Sequence, residues 1–171
     1  MNEAELLLTD ILGCSRTELC LQKRKQLGPD LGMRMAGVLQ RRFKGEPFQY
    51  IMGNTEFMGM LFAVTPQVLI PRPETELLVE KVIMLFRESG LKRIIDVGTG
   101  SGCIAISLAK MLPDARVTGT DISASALAVA EENAARHRVS VRFARADLFL
   151  PEQAARFDCV VSNPPYIAAA D

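Results

Sequence analysis

The stretch Arg93-Ile94-Ile95-Asp96-Val97-Gly98-Thr99-Gly100-Ser101-Gly102 decides how the rest of the chain reads. "RIIDVG" is a short apolar run rich in branched residues, which predicts a strand. "GTGSG" is a tight turn in which backbone can approach a ligand. "GCIAISLAKML" then carries small and branched residues at helical spacing, which predicts a helix packed on a sheet. A strand, a glycine turn and a helix start place free backbone N–H groups at the carboxyl end of a strand. The glycines at 98, 100 and 102 are spaced G-x-G-x-G, and position 103 is Cys. The dinucleotide fingerprint requires G-x-G-x-x-G, so this spacing argues against NAD or FAD and for a ligand without a pyrophosphate. A tight turn alone accounts for two of the three glycines.

Downstream, the pattern repeats. "ARVTGTDI" predicts a second strand and "SASALAVAEENAARH" a second helix capped by Ser123, with His137 as a cation at its carboxyl end. "VRFARADLF" and "FDCVVSN" predict strands three and four. Strands alternating with helices imply a parallel, doubly wound sheet. Three polar positions close successive strands. Asp121 reads either as an acceptor for ribose hydroxyls or as a helix cap. Asp147-Leu148 reads either as the place where an adenine is covered or as a turn. Asn163-Pro164-Pro165-Tyr166 breaks the last apolar run. Its two prolines lack N–H groups and stiffen the turn. The Asn oxygen and nearby carbonyls are then acceptors with few local competitors, suited to a planar NH2 group against which Tyr166 can lie. Ligands of open α/β sheets bind at the carboxyl ends of the strands, where all these positions fall.

Working toward the amino terminus, Pro73 suits the first turn of a helix, with Glu74 and Glu76 near its positive end. "GEPFQYIMGNTEFMGMLFAVTPQVLIPRPETE" is punctuated by glycine and proline, and Glu56–Met58 and Leu61–Val64 around Gly59 predict a hairpin. Residues 1 to about 45 read helical: a stripe of Leu6, Leu7 and Ile11, a second short helix capped by Ser15, and a third started by Asp30. The expected division is therefore a helical domain at 1–45, a hairpin and linker at 46–73, and an incomplete Rossmann-like sheet domain at 74–171.

The totals bound the function. The chain has 171 residues, 49% of them hydrophobic, and 20 Lys+Arg balance 20 Asp+Glu. That balance supplies no overall basic footprint for nucleic acid or a membrane surface. No apolar run approaches membrane-spanning length. Four cysteines without a C-x-x-C pair and a single histidine point to free thiols, no metal site and a reducing, cytoplasmic setting. The acidic start, "MNEAELLLTD", predicts no secretory signal.

"DVGTGSGCIAISLA", the Asp121 strand end and "NPPY" together resemble the S-adenosylmethionine-dependent amino-methyltransferases. "GEPFQYIMG", "FMGMLFAVTPQVLIPRPETELLVE" and "VSNPPYI" are similar to the release-factor glutamine N5-methyltransferases, the HemK/PrmC family. The resemblance covers nearly the whole chain. It implies that Gly98, Thr99, Gly100, Ser101, Gly102, Asp121, Asp147, Leu148 and Asn163 bind S-adenosyl-L-methionine, with Leu148 beside its adenine. It implies that Asn163, Pro164, Pro165 and Tyr166 hold the glutamine of a release factor's Gly-Gly-Gln loop, Asn163 and Pro164 being catalytic. The helical domain is expected to dock that protein substrate. The resemblance also implies seven strands where four can be counted. Two alternatives stand beside it: an adenine-N6 DNA methyltransferase, which shares the "NPPY" logic, and a non-catalytic cofactor-binding fragment.

Overall fold

The computed structural model describes residues 3–21, 28–90, 92–148 and 157–164. The chain divides into two compact units, Met1–Gly53 and Asn54–Asp171.

The first unit contains helices α1 (Glu3–Leu12), α2 (Arg16–Leu21), α3 (Pro29–Phe43) and α4 (Phe48–Met52). Leu7 and Ile11 of α1 are its buried apolar pair. Ser15 caps α2 as expected. Its hydroxyl accepts from the Glu18 N–H at 3.2 Å, while the Glu18 carboxylate accepts from the Ser15 N–H at 2.7 Å, a reciprocal capping box. Asp30 does not start α3. Pro29 occupies the first turn after an extended Gly28, because proline arrives with helical φ and loses no hydrogen bond there. The region read as hairpin and linker also opens with a helical turn. The Pro47 carbonyl accepts from the N–H groups of Tyr50 and Ile51, and left-handed Gly53 ends α4. The Arg41 guanidinium grips the Glu46 carboxylate with both Nε and Nη2, at 2.8 and 2.6 Å.

The second unit opens with an antiparallel hairpin, β1 (Asn54–Phe57) and β2 (Met60–Ala63), which turns at Met58-Gly59. Helix α5 (Pro73–Ser89) follows and ends on left-handed Gly90. The remaining described elements are β3 (Arg93–Val97), α6 (Cys103–Met111), β4 (Arg116–Asp121), α7 (Ala124–His137), β5 (Arg142–Arg145) and β6 (Cys159–Ser162). The sheet order is β5-β4-β3-β6, with every pairing parallel. From β3 the chain steps outward through β4 to β5, then returns to place β6 on the far side of β3. This reversal is the mark of a doubly wound sheet and puts the switch point between β3 and β6. The entry to β6 is fixed at its start. Asp158 accepts from the backbone N–H groups of Lys92 and Arg93 and pairs with the Arg93 guanidinium at 2.9 Å. That guanidinium bond, with the two N–H bonds behind it, holds the carboxyl well below the usual carboxylate range.

The core is built from Phe57 and Phe62 of the hairpin, Val79 of α5, Ile94 of β3, and Ile106 and Leu108 of α6, all nearly or fully buried. Each predicted strand of the sheet is present, trimmed by one or more residues. Ser123 caps α7 by accepting from the Ala126 N–H. His137 ends α7 as expected, but its ring also works on the hairpin. Nε2 lies 2.9 Å from the Leu61 carbonyl oxygen, and the ring packs on Phe62 with centroids 4.8 Å apart.

Candidate active site

The loop after β3 is shaped by bonds that the glycines permit. The Thr99 N–H donates to the Thr120 carbonyl at 2.8 Å, tying the loop to β4, and the Gly102 N–H closes a turn onto the Thr99 carbonyl. Gly98, Gly100 and Gly102 all lie at positive φ. A Cβ on Gly98 or Gly100 would point into open space. At Gly102 it would lie 2.8 Å from Ile106 Cδ1 and 3.0 Å from Ala130 Cβ, so this glycine is what allows the loop to sit against α6 and α7.

Asp96 is fully buried beneath the loop. Its Oδ2 accepts from Thr99 Oγ1 at 2.6 Å, and Oδ1 has no partner at full hydrogen-bond geometry. Burial pushes its pKa up to about 6 against the pull of the Thr99 hydroxyl and the nearby Ala105 N–H, while Asp121 adds like-charge repulsion. Cys103, buried beside it, has its thiol pushed up to about 12 by burial and the Asp96 charge. It is a packed side chain and no nucleophile at neutral pH.

Asp121 does not cap the following helix, a place that Ser123 takes, but binds backbone on both sides of itself. One oxygen accepts from the Gly100 N–H at 2.9 Å, and the other from the Ser123 N–H at 2.9 Å. Each oxygen keeps a further lone pair, so a half-buried carboxylate faces the loop with acceptor capacity left. Leu148 is exposed and left-handed, with φ +66°, and its carbonyl accepts from the Thr120 hydroxyl at 2.9 Å. Its backbone thus anchors the strand ends, and its side chain is exposed. Asp147 is exposed beside it.

Across the switch point, Asn163 follows β6. Its Nδ2 donates to Thr75 Oγ1 at 2.7 Å. The cleft between the two sides is lined by Leu69, Ile70, Pro71, Arg72 and Thr75, by Gly98 to Ser101, and by Cys103, Ile104 and Asn163. The structure therefore brings Asn163 and the glycine loop to one cleft, with Asp121 directly behind Gly100. Asp147 and Leu148 lie at the end of the neighbouring strand. Pro164 is exposed at the end of the described segment, while Pro165 and Tyr166 lie outside the described residues.

Sequence reasoning missed three contributors. "LIPRP", read as linker, forms a wall of the cleft and supplies Arg72, its one charged lining residue among those described. Thr75 holds the Asn163 amide. Asn133, fully buried in α7, accepts from the Ala63 N–H at 2.7 Å and donates to the Ala63 and Ser101 carbonyls at 3.0 and 2.9 Å. It therefore ties the glycine loop to the hairpin. A polar residue on the apolar face of "ALAVAEENAARH" was the available signal for it.

Two family models match. Residues 1–53 match the PrmC N-terminal domain, and residues 73–171 match the methyltransferase small domain. The chain belongs to the methyltransferase small-domain family. Among curated proteins, the chain is 46% identical over 169 residues to the release factor glutamine methyltransferase of Geobacter sulfurreducens, covering 99% of this chain and 59% of that protein. It is 47% identical over 171 residues to the one from Bordetella pertussis, covering 99% and 63%. The chain thus spans about 60% of the length of these relatives. Among solved structures, it resembles a 16S rRNA methyltransferase from T. thermophilus (RsmC), solved with AdoMet and guanosine, at TM-score 0.57 and 24% identity, covering 68% of this chain and 33% of that one. It also resembles the Pyrococcus abyssi tRNA (uracil-54, C5)-methyltransferase, solved with S-adenosyl-L-homocysteine, at TM-score 0.52 and 24% identity, covering 66% and 28%. These two likenesses bear on the fold, a Rossmann-like methyltransferase sheet. Among the described residues, no helix is long and apolar enough to cross a membrane.

Proposed function

We propose that the protein is the S-adenosyl-L-methionine-dependent methyltransferase that modifies the glutamine side-chain N5 of a peptide chain release factor. The observation that carries this reading is the Asn163 amide, anchored by its NH2 end at the mouth of the glycine-loop cleft. The membership in the methyltransferase family and the similarity of 99% of this chain to part of the release factor glutamine methyltransferases support it.

The residues present fit the cofactor. Gly98 and Gly100 leave open space above the loop. Asp121 retains acceptor capacity for ribose hydroxyls. The loop itself carries no lysine or arginine of the kind a pyrophosphate would favour. When bound there, S-adenosyl-L-methionine supplies an electrophilic methyl group on a sulfonium.

The chain's own residues act on the acceptor. An amide nitrogen is a poor nucleophile because its lone pair is delocalised into the carbonyl. Asn163 Oδ1 and the Pro164 carbonyl accept the two amide hydrogens. As the nitrogen becomes tetrahedral, its developing positive charge strengthens both bonds, which stabilises the transition state more than the ground state. The same two bonds fix the direction of the lone pair, so alignment contributes much of the rate. The proton released after transfer passes to solvent, and no base is required beforehand. The helical unit docks the protein substrate.

The test is transfer of radiolabelled methyl from S-adenosyl-L-methionine to an unmodified release factor. Asn163→Ala is expected to lose transfer by roughly two orders of magnitude or more while keeping cofactor affinity. Transfer at the parent rate by Asn163→Ala would remove its proposed role.

A further inference from the structure

We propose that the amino end of the sheet carries a second binding site, which takes a polyphosphate group. The 20 basic and 20 acidic residues cancel over the whole chain, yet they are unevenly placed. A cavity of about 860 Å³ opens where β3, β4 and β5 begin. Arg93, Lys110, Arg116, Arg138 and Arg142 line it, and no acidic residue does among those described. The site shares no residue with the cleft at the carboxyl ends of the strands.

The strand register gathers these side chains. Arg93 stands opposite Arg116 on β4, and Thr118 stands opposite Arg142 on β5. Arg116 and Thr118 alternate along β4, so all four side chains leave the same face of the sheet. Thr118 lines the cavity and is 8% exposed, and its hydroxyl has no hydrogen-bond partner among the described residues. A buried hydroxyl of this kind is a contact that a ligand can complete. It can donate or accept, so the cations around it set the sign of the ligand.

Not every cation is equally engaged. The Arg93 guanidinium is held by Asp158 at 2.9 Å. Lys110 Nζ donates to the His137 carbonyl at 3.2 Å, which keeps its ammonium beside Arg138 at the end of α7. Two of its three hydrogens remain for other acceptors. Arg116 and Arg138 have no ion pair among the described residues. Asp114 lies near Arg116 but lines a separate depression.

Like charges around one concavity repel, and an anion placed between them removes the repulsion. A guanidinium matches two phosphate oxygens at once. Cations spread over several strand and helix ends require several anionic groups in a row, which a polyphosphate has and a lone carboxylate lacks. The volume falls within the roughly 300–1,000 Å³ of small-molecule sites, and Val139 and Phe157 add apolar wall against which a base can lie. Nucleoside triphosphates and inorganic polyphosphate share this chemistry.

Calorimetric titration into the full chain, at low salt and without divalent cations, uses inorganic tripolyphosphate and GTP as probes. Saturable binding is expected for both. Tighter binding of GTP would identify the nucleotide as the ligand, and GTP binding no tighter than tripolyphosphate would identify the inorganic chain. Arg116→Ala and Arg138→Ala are each expected to weaken binding roughly tenfold, the scale of a lost charge-assisted hydrogen bond. Thr118→Val keeps the shape, removes the hydroxyl and is expected to cost roughly threefold. Arg145→Ala is the control. It removes a cation from the carboxyl end of β5, the strand that begins with Arg142, and should leave the affinity unchanged. Far-UV circular dichroism confirms that each variant is folded. Absence of saturable binding of either probe, or a loss at Arg145 equal to that at Arg116 and Arg138, would overturn the proposal.

Discussion

Replacing Gly102 with alanine tests how the glycine loop is held, and its cost can be worked from the contacts. Two penalties apply. At φ +78° an L-residue occupies left-handed backbone, which costs about 1–2 kcal/mol. The new methyl would also lie 2.8 Å from Ile106 Cδ1, 3.0 Å from Ala130 Cβ and 3.3 Å from Ala130 Cα. The isoleucine tip can rotate away. The alanine cannot, since its Cα is helix backbone, so α7 must shift against α6. Overpacking of this kind costs about 1–3 kcal/mol. The expected loss is therefore roughly 2–5 kcal/mol, or a drop in Tm of roughly 5–15 °C for a chain of this size. Gly100→Ala is the matched control. It has the same backbone strain at φ +56° and nothing within 4 Å of the new methyl, so only the first penalty of about 1–2 kcal/mol applies. Urea denaturation followed by far-UV circular dichroism measures both. Equal losses for the two variants would refute the claim that close packing on α6 and α7, and not the turn alone, requires Gly102.

Asn133→Ala would leave the Ala63 N–H and the Ala63 and Ser101 carbonyls buried without partners, an expected loss of roughly 3–5 kcal/mol by urea denaturation. A loss below about 1 kcal/mol would mean that Asn133 does not tie the loop to the hairpin. Asp96 gives a pH signature. Its carboxyl titrates near 6 in the folded chain and near 3.8 when exposed. Below 3.8 it is protonated in both states and costs nothing. As pH rises toward and through 6, the folded chain must bury a charge, so this residue's contribution to stability falls by roughly 3 kcal/mol. Asp96→Asn is expected to gain on the parent across that window and to run parallel to it above about pH 7. A difference between them that is flat from pH 4 to 7 would contradict the buried charge.

The sheet was legible because "RIIDVG", "ARVTGTDI" and "DCVVSN" are apolar runs bounded by turns, and the first two form parallel strands buried on both faces, which must look like that. The Ser123 and Ser15 caps were legible because capping is local chemistry. Asp121 was legible in place and less so in role: Ser123, not Asp121, caps the following helix, and the bond to Gly100 depends on a loop 21 residues away. What escaped the sequence is long-range. Thr75 and Asn133 look like ordinary helix residues until the fold brings them to partners 88 and 70 residues away. Helix α4 escaped because its five residues follow a proline whose carbonyl begins the turn, a local device with no apolar period to reveal it. The start of α3 was misassigned because an aspartate next to a proline imitates a cap, and the proline takes the first helical position.

The proposed function requires the cleft at the switch point between β3 and β6 to hold S-adenosyl-L-methionine with its methyl directed at the Asn163 segment. Calorimetric titration of S-adenosyl-L-methionine into the purified 171-residue chain tests it most directly. Saturable binding at a single site is expected, weakened strongly by Asp121→Ala and largely preserved in Asn163→Ala. Absence of saturable heat from the folded chain, or binding indifferent to Asp121, would contradict it.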